Sequence, residues 1–441
     1  MGSLNVGAMS LRIVFNLKIT DVDSLIATMD SPDQGAKDVP LGRVSLKMDS
    51  LIIEAPMLLG KYSGHLETDT TIDGIWTQRG RNLSLNLLKL ADKFTLNRPQ
   101  EPKEPVPYIS EEVNFPNDKF NISLSGTLTI PEGEGPFPAV VMITGSGAQN
   151  RDEALMGHKP FLVIADWLTR KGIAVLRYDD RGVGKSQGNY ANATSADLAT
   201  DAEAAVTFLR NQSKINKKAI GLIGHSEGGL IAPIAAATDP TIAFIVSLAG
   251  PGVKGEKLLY RQVNDISRIS GTDEESIKEA TSTNRKLYRI VKKEKDNNKA
   301  EAKVLEAYSK ILSARNLSDE EMKRNIDQLK LTFGATSYTW YRYFLITDPA
   351  KFWKKVKCPV LALNGQKDLQ VAADLNLTAI EKAVKSGGNK NIKTISFPDL
   401  NHLFQHCTTG LPSEYGAIEE TFSPEVLKII SDWINDLEVS R

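Results

Sequence analysis

Apolar and polar positions change their rhythm twice along the chain. From residue 1 to 96 the stretches SLRIVFNLKI, SLIATMDS, RVSLKMDSLIIEA and GHLETDTTIDGIWT alternate between turn signals, the period of half-buried strands. A small β-rich domain is predicted there. NRPQEPKEPVP follows over 97–107, dense in proline and charge, and predicts a stiff linker. Over 108–441 the strand patterns PAVVMITG, IAVLRYDD, AIGLIGH, IAFIVSLAG, CPVLALNG and NIKTISFP alternate with helical ones. Gly172 closes the first of these helices, and Ser195 is the expected N-cap of SADLATDAEAAVTFLRNQ. Strands this continuously apolar must be covered on both faces. The fold class is therefore α/β: a doubly wound, mostly parallel sheet. Between about Pro251 and Pro349 the alternation stops, and a charged, helix-periodic segment without strand candidates predicts an inserted helical cap over the sheet's carboxyl edge.

The 441 residues are too many for one ordinary domain, and 41% hydrophobic content supplies ample core. The formal net charge is zero, so no global field draws the protein to nucleic acid or an anionic membrane. No apolar run reaches transmembrane length, which argues against membrane insertion. Cys358 and Cys407 exclude a disulfide framework. As one starts a strand and the other follows one, they should lie at opposite sheet edges, too far apart to bond. Neither they nor the five histidines have zinc spacing, so no metal or other cofactor is expected. The abrupt, strand-like start favours an exported, periplasmic protein that has lost a leader. Oligomeric state is not legible.

The pattern Gly-x-Ser-x-Gly occurs twice, at Gly224-His225-Ser226-Glu227-Gly228 and at Gly184-Lys185-Ser186-Gln187-Gly188. Context separates them. Ser226 directly follows an apolar strand and opens a small-residue helix, the strand-turn-helix setting of a nucleophile elbow. Its flanking glycines would let strand and helix approach, and the Glu227 amide would sit at a helix N-terminus, where a developing oxyanion is stabilised. Ser186 lies in a loop with no helix until about Ser195, so a structural role is expected.

A serine hydroxyl needs a base, and the base an orienting group. Asp368 comes just past the strand PVLALNG and His402 just past TISFP, giving the chain order Ser226, Asp368, His402 expected of α/β-hydrolases. His406 sits further from a strand end, His225 should point away from the Ser226 hydroxyl, and Asp399 is too near His402 along the chain. The second oxyanion donor is expected in VVMITGSGAQNRDE, at the Ser146 amide, with Gly147 as the alternative. Arg151, Asp152 and Glu153 are expected to lock that loop through ion pairs. Tyr338, Trp340 and Tyr341, near the cap's return to the core, are candidate pocket walls, although packing between cap and core is the commoner role of such a cluster.

With ITGSGAQNRDE, YDDRGVGKSQG, GHSEGG, LNGQKDLQV and LNHLFQ assembled, the chain from about Tyr108 to Leu437 resembles bacterial carboxylesterases of the α/β-hydrolase superfamily. The resemblance is greatest to those with a serine-aminopeptidase-like core and an N-terminal domain. Many such relatives carry His-Gly after the first core strand, where this chain has Thr144-Gly145. The resemblance implies a serine esterase acting on a small-molecule ester, with short acyl chains expected. A peptidase of similar core is the alternative, requiring an acidic group such as Glu256 or Glu274 to hold a substrate amine. A non-catalytic binding protein on a hydrolase fold is the third reading.

Overall fold

The computed structural model describes all residues except 7, 8, 21–23, 35, 79, 93, 95, 316, 335–337, 440 and 441. Contacts divide the chain into two units. The first comprises Met1–Pro99 with Leu155–His158 and Pro412–Glu419, and the second holds the remainder.

In the first unit the period-two pattern forms two antiparallel sheets. One runs in chain order through Gly2–Val6, Met9–Ile19, Leu25–Ser31 and Ala36–Pro40. The other orders Val44–Lys47, Ser50–Ala55, Gly60–Leu66, Thr71–Gln78 and Leu87–Leu88 side by side. Leu51, Ile53 and Ala55 alternate inward along one strand and pack with Tyr62 and Trp76. The two later segments join by polar anchoring. Arg98 donates to the carbonyls of Gly157, Gly416 and Ile418, and the His158 ring meets the Tyr415 carbonyl at 2.8 Å.

The second unit is built on one eight-stranded sheet. Its strands are β1 (Tyr108–Asn117), β2 (Ile122–Pro131), β3 (Phe137–Ile143), β4 (Ala174–Tyr178), β5 (Ile215–His225), β6 (Ile245–Leu248), β7 (Val360–Gly365) and β8 (Ile392–Phe397). They lie in the order β1-β2-β4-β3-β5-β6-β7-β8. From β4 to β8 every pairing is parallel; β1 and β2 add an antiparallel edge. That hairpin has no counterpart in the apolar-run reading because much of β1 faces solvent.

Helices α1 (Pro160–Arg170), α2 (Ser195–Arg210) and α3 (Gly228–Thr238) alternate with the central strands. Alternate residues of β3 feed two cores: Ala139, Val141 and Ile143 join residues of α2 and α3, whereas Val140 and Met142 join Phe161, Ile164 and Leu168 of α1. Each fully buried Val, Leu, Ile or Phe contributes roughly 1.5–3 kcal/mol, so a one-residue slip of a central strand would be very costly. The sheet order with helices on both faces is that of an α/β-hydrolase. Ser195 is not the N-cap of α2. Thr194 takes that place because it forms a reciprocal box with Asp197, and Ser195 becomes the first helical residue.

The segment after β6 folds as α4 (Gly255–Ile269), α5 (Glu274–Lys293), α6 (Asn297–Ser313), α7 (Asp319–Gly334) and α8 (Tyr338–Ile346). Asp273 and Asp296 cap α5 and α6, dividing the long charged stretch into two helices. Leu287, Tyr288, Val291, Val304, Phe333 and Leu345 give this region a core of its own. The short α9 (Ala350–Trp353), then α10 (Ala373–Ser386) and α11 (Pro424–Val439), complete the cover. Among the described residues, no helix is long and apolar enough to cross a membrane.

Candidate active site

Ser226 sits where β5 turns into α3, with φ of 52°, a left-handed backbone that costs a non-glycine residue energy. The turn is held by the Ser226 amide donating to the Leu248 carbonyl at 2.9 Å. It is possible only between glycines: a Cβ at Gly224 would lie 2.1 Å from the Gly228 carbonyl oxygen, and one at Gly228 would lie 2.2 Å from that of Ile143. The loop after β3 passes close by, since a Cβ on Gly145 would stand 3.2 Å from the Ser226 Cβ.

Backbone amides around Ser226 differ in what they already bind. The Gly145 amide donates to Glu153 Oε1 at 2.6 Å and the Gly147 amide to the Tyr190 hydroxyl at 2.9 Å. Among the described residues the amides of Ser146 and Glu227 donate to no protein group. Ser146 is exposed.

Asp368 and His402 come from the loops after β7 and β8. Asp368 Oδ2 meets His402 Nδ1 at 2.7 Å, while Oδ1 accepts from the amides of Gln370 and Val371, both at 2.8 Å. Both side chains are buried. Asn401 stiffens the histidine loop, its Oδ1 accepting from the amides of Leu403 and Gln405.

Glu227, next along from Ser226, is fully buried, and among the described residues no cation lies beside it. Ser195 Oγ at 2.5 Å and the Trp340 indole at 2.7 Å both donate to its Oε1, and Oε2 has no hydrogen-bond partner among the described residues. Burial pushes this carboxyl above its ordinary value, against the hydrogen bonds from Ser195 and Trp340.

The remaining candidates have partners of their own. The Ser186 hydroxyl is buried, donating to the Asp179 carbonyl at 2.7 Å and accepting from the Ser125 amide at 2.9 Å. His406 pairs with Glu420, and Asp399 with Lys367. Arg151 pairs with Asp179 and Glu112, and Asp152 with Arg177. Glu153 instead faces His225, whose ring lies 4.8 Å from that of His402. Of the aromatic candidates, Tyr338 stacks on Phe333 inside the cap. Trp340 stacks on Phe344 and reaches Glu227, and Tyr341 packs against Trp340 and lines a cavity of about 470 Å³ within the cap.

Residues 121–392 match the X-Pro dipeptidyl-peptidase (S15) family, a span from β2 into β8 that carries Ser226 and Asp368. The chain belongs to that family. This S15-family chain has the α/β-hydrolase fold and is similar over 297 residues, at 27% identity, to Esterase EstD from Thermotoga maritima. That alignment covers 67% of this chain and 61% of EstD, so the chain spans less than two thirds of that relative. Among solved structures, the Pyrococcus furiosus esterase Pf2001 shares 15% identity at a TM-score of 0.44, covering 75% of this chain and 93% of that one. Est1E from Butyrivibrio proteoclasticus, solved with ferulic acid, shares 16% identity at a TM-score of 0.43, covering 74% and 98%.

Proposed function

We propose that this S15-family chain is a serine carboxylesterase cleaving small esters, with short acyl chains preferred. The observation that carries this reading is the 2.7 Å pairing of Asp368 with His402, on loops of the same sheet whose central strand ends in the Ser226 elbow. With Nδ1–H held by Asp368, His402 Nε2 is free to take the Ser226 proton as Oγ attacks the ester carbonyl. The amides of Glu227 and Ser146 receive the oxyanion. Gly147 is the weaker choice because its amide already donates to Tyr190. The imidazolium returns its proton to the departing alkoxide as the C–O bond breaks. Water then attacks the acyl-enzyme, losing a proton to His402; the acid leaves and Ser226 regains its hydrogen.

The family match favours a second reading, peptide cleavage. Against it, the acidic groups considered for a substrate amine are occupied: Glu256 by Lys292 at 2.6 Å and by Tyr260, and Glu274 by Arg268. A comparison of short-chain aryl esters with aminoacyl anilides at matched acyl groups tests the choice, with Ser226→Ala alongside. Faster ester turnover, lost in the variant, is expected. Anilide cleavage outrunning ester cleavage would establish the peptidase reading instead.

A further inference from the structure

Three loops that must cooperate in the proposed chemistry meet on one buried pair of side chains. His225, at the end of β5, sends Nδ1 to Glu153 Oε1 at 3.0 Å and Nε2 to the main-chain carbonyl of His402 at 3.0 Å. Glu153 Oε1 also accepts the Gly145 amide at 2.6 Å, one peptide before Ser146. His225 is bonded to Ser226 in the chain. The imidazole and carboxylate therefore tie the nucleophile turn, the loop carrying the free Ser146 amide, and the backbone of the proposed base.

The neighbouring acceptors set the number of protons that the pair holds. The His402 carbonyl can only accept, so His225 Nε2 carries a hydrogen. The Nδ1–Oε1 contact then needs one more proton, supplied from either side, and the pair is neutral as a whole. Burial alone would push His225 down, yet the charge and hydrogen bond of Glu153 hold it above its ordinary value, which favours imidazolium with carboxylate. Breaking such a buried pair at one member is costly because the other is left uncompensated. Both residues are buried, so the pair cannot touch substrate. Its influence has to pass through the groups that it holds.

We propose that His225 and Glu153 are positioning residues that hold the Ser146 amide and the His402 ring in register with the Ser226 hydroxyl. The inference rests on the triad reading above. Glu153→Gln is the discriminating change. The amide side chain still accepts from Gly145 N–H, but His225 loses its counter-charge and can keep only one ring hydrogen. Either the His402 carbonyl or the new amide oxygen then faces a bare ring nitrogen. Small displacements at a reacting centre cost up to about 100-fold in rate. The expected result is a kcat per folded molecule lower by about 10- to 100-fold with KM little changed, together with a lower melting temperature from the broken pair. Binding of an aryl boronic acid, which forms a tetrahedral adduct, should weaken in step with kcat.

His225→Gln, which keeps one donor for the His402 carbonyl, should behave alike. A purely structural role would lower the melting temperature and leave kcat and boronate affinity of the folded fraction intact, overturning the proposal. Insolubility of both variants would also contradict it. Ser226→Ala, run in parallel, separates the two failures. Retained turnover there sinks the nucleophile assignment and the proposal together. An inactive Ser226→Ala beside an unaffected Glu153→Gln sinks the proposal alone.

Discussion

Asp368→Asn perturbs the proposed relay with almost no change of shape, and the surroundings of Asp368 dictate the outcome. The carboxylate divides its work: Oδ1 satisfies two amides, the half-buried one of Gln370 and the buried one of Val371, and Oδ2 holds His402 Nδ1. Asparagine has one acceptor oxygen for these two tasks. If its oxygen turned to His402, two backbone N–H groups would face an NH₂, at about 1–3 kcal/mol each. That orientation is therefore about 2–6 kcal/mol disfavoured. The side chain should instead keep its oxygen on the two amides and present NH₂ to His402. Nδ1 must then accept, the ring hydrogen moves to Nε2, and the base can no longer receive the Ser226 proton. A wrong tautomer of this kind costs about 10⁴ in kcat. Steady-state hydrolysis of p-nitrophenyl acetate, paired with urea unfolding to confirm the fold, measures it. A folded Asp368→Asn variant within tenfold of wild-type kcat would refute the argument.

Two other outcomes follow from the same contacts. Ser186→Ala should leave ester turnover within about twofold and cost about 1–3 kcal/mol of stability in urea titration, because the buried Ser125 amide loses its acceptor; loss of activity without loss of stability would contradict its structural role. In the first unit, burial, reinforced by the nearby Arg98 guanidinium, pushes His158 down to about 4 from 6.5. The unfolded chain then binds the extra proton first, so stability should be complete above pH 6.5 and fall by about 2–3 kcal/mol as pH drops towards 4. His158→Gln should flatten that slope, and an unchanged slope would assign it to other groups.

Much of this arrangement is legible along the chain because short-range rules control it. Apolar runs of β3 to β8 had to be covered on both faces, and Asp368 and His402 each follow directly on one of those runs. Gly224 and Gly228 bracket Ser226 because no larger residue fits the crossing of strand and helix. The hidden features are long-range or local competitions. Glu153 and His225 are 72 positions apart, and Trp340 and Glu227 are 113 apart; no periodicity encodes such meetings. Thr194 displaced Ser195 as the cap because Asp197 completes its box, and Ser195 was thereby left to bind Glu227. Leu155–His158 and Pro412–Glu419 join the first unit through carbonyls and a buried histidine, groups that hydrophobic patterning does not record.

The most direct measurement is the site of a covalent label. Wild-type protein treated with a fluorophosphonate and digested should carry the phosphonyl mass on the peptide containing Ser226 and on no other serine, and Ser226→Ala should remain unmodified. A label on the Ser186 peptide, or equal labelling of the Ser226→Ala variant, would contradict the assignment of this hydroxyl as nucleophile.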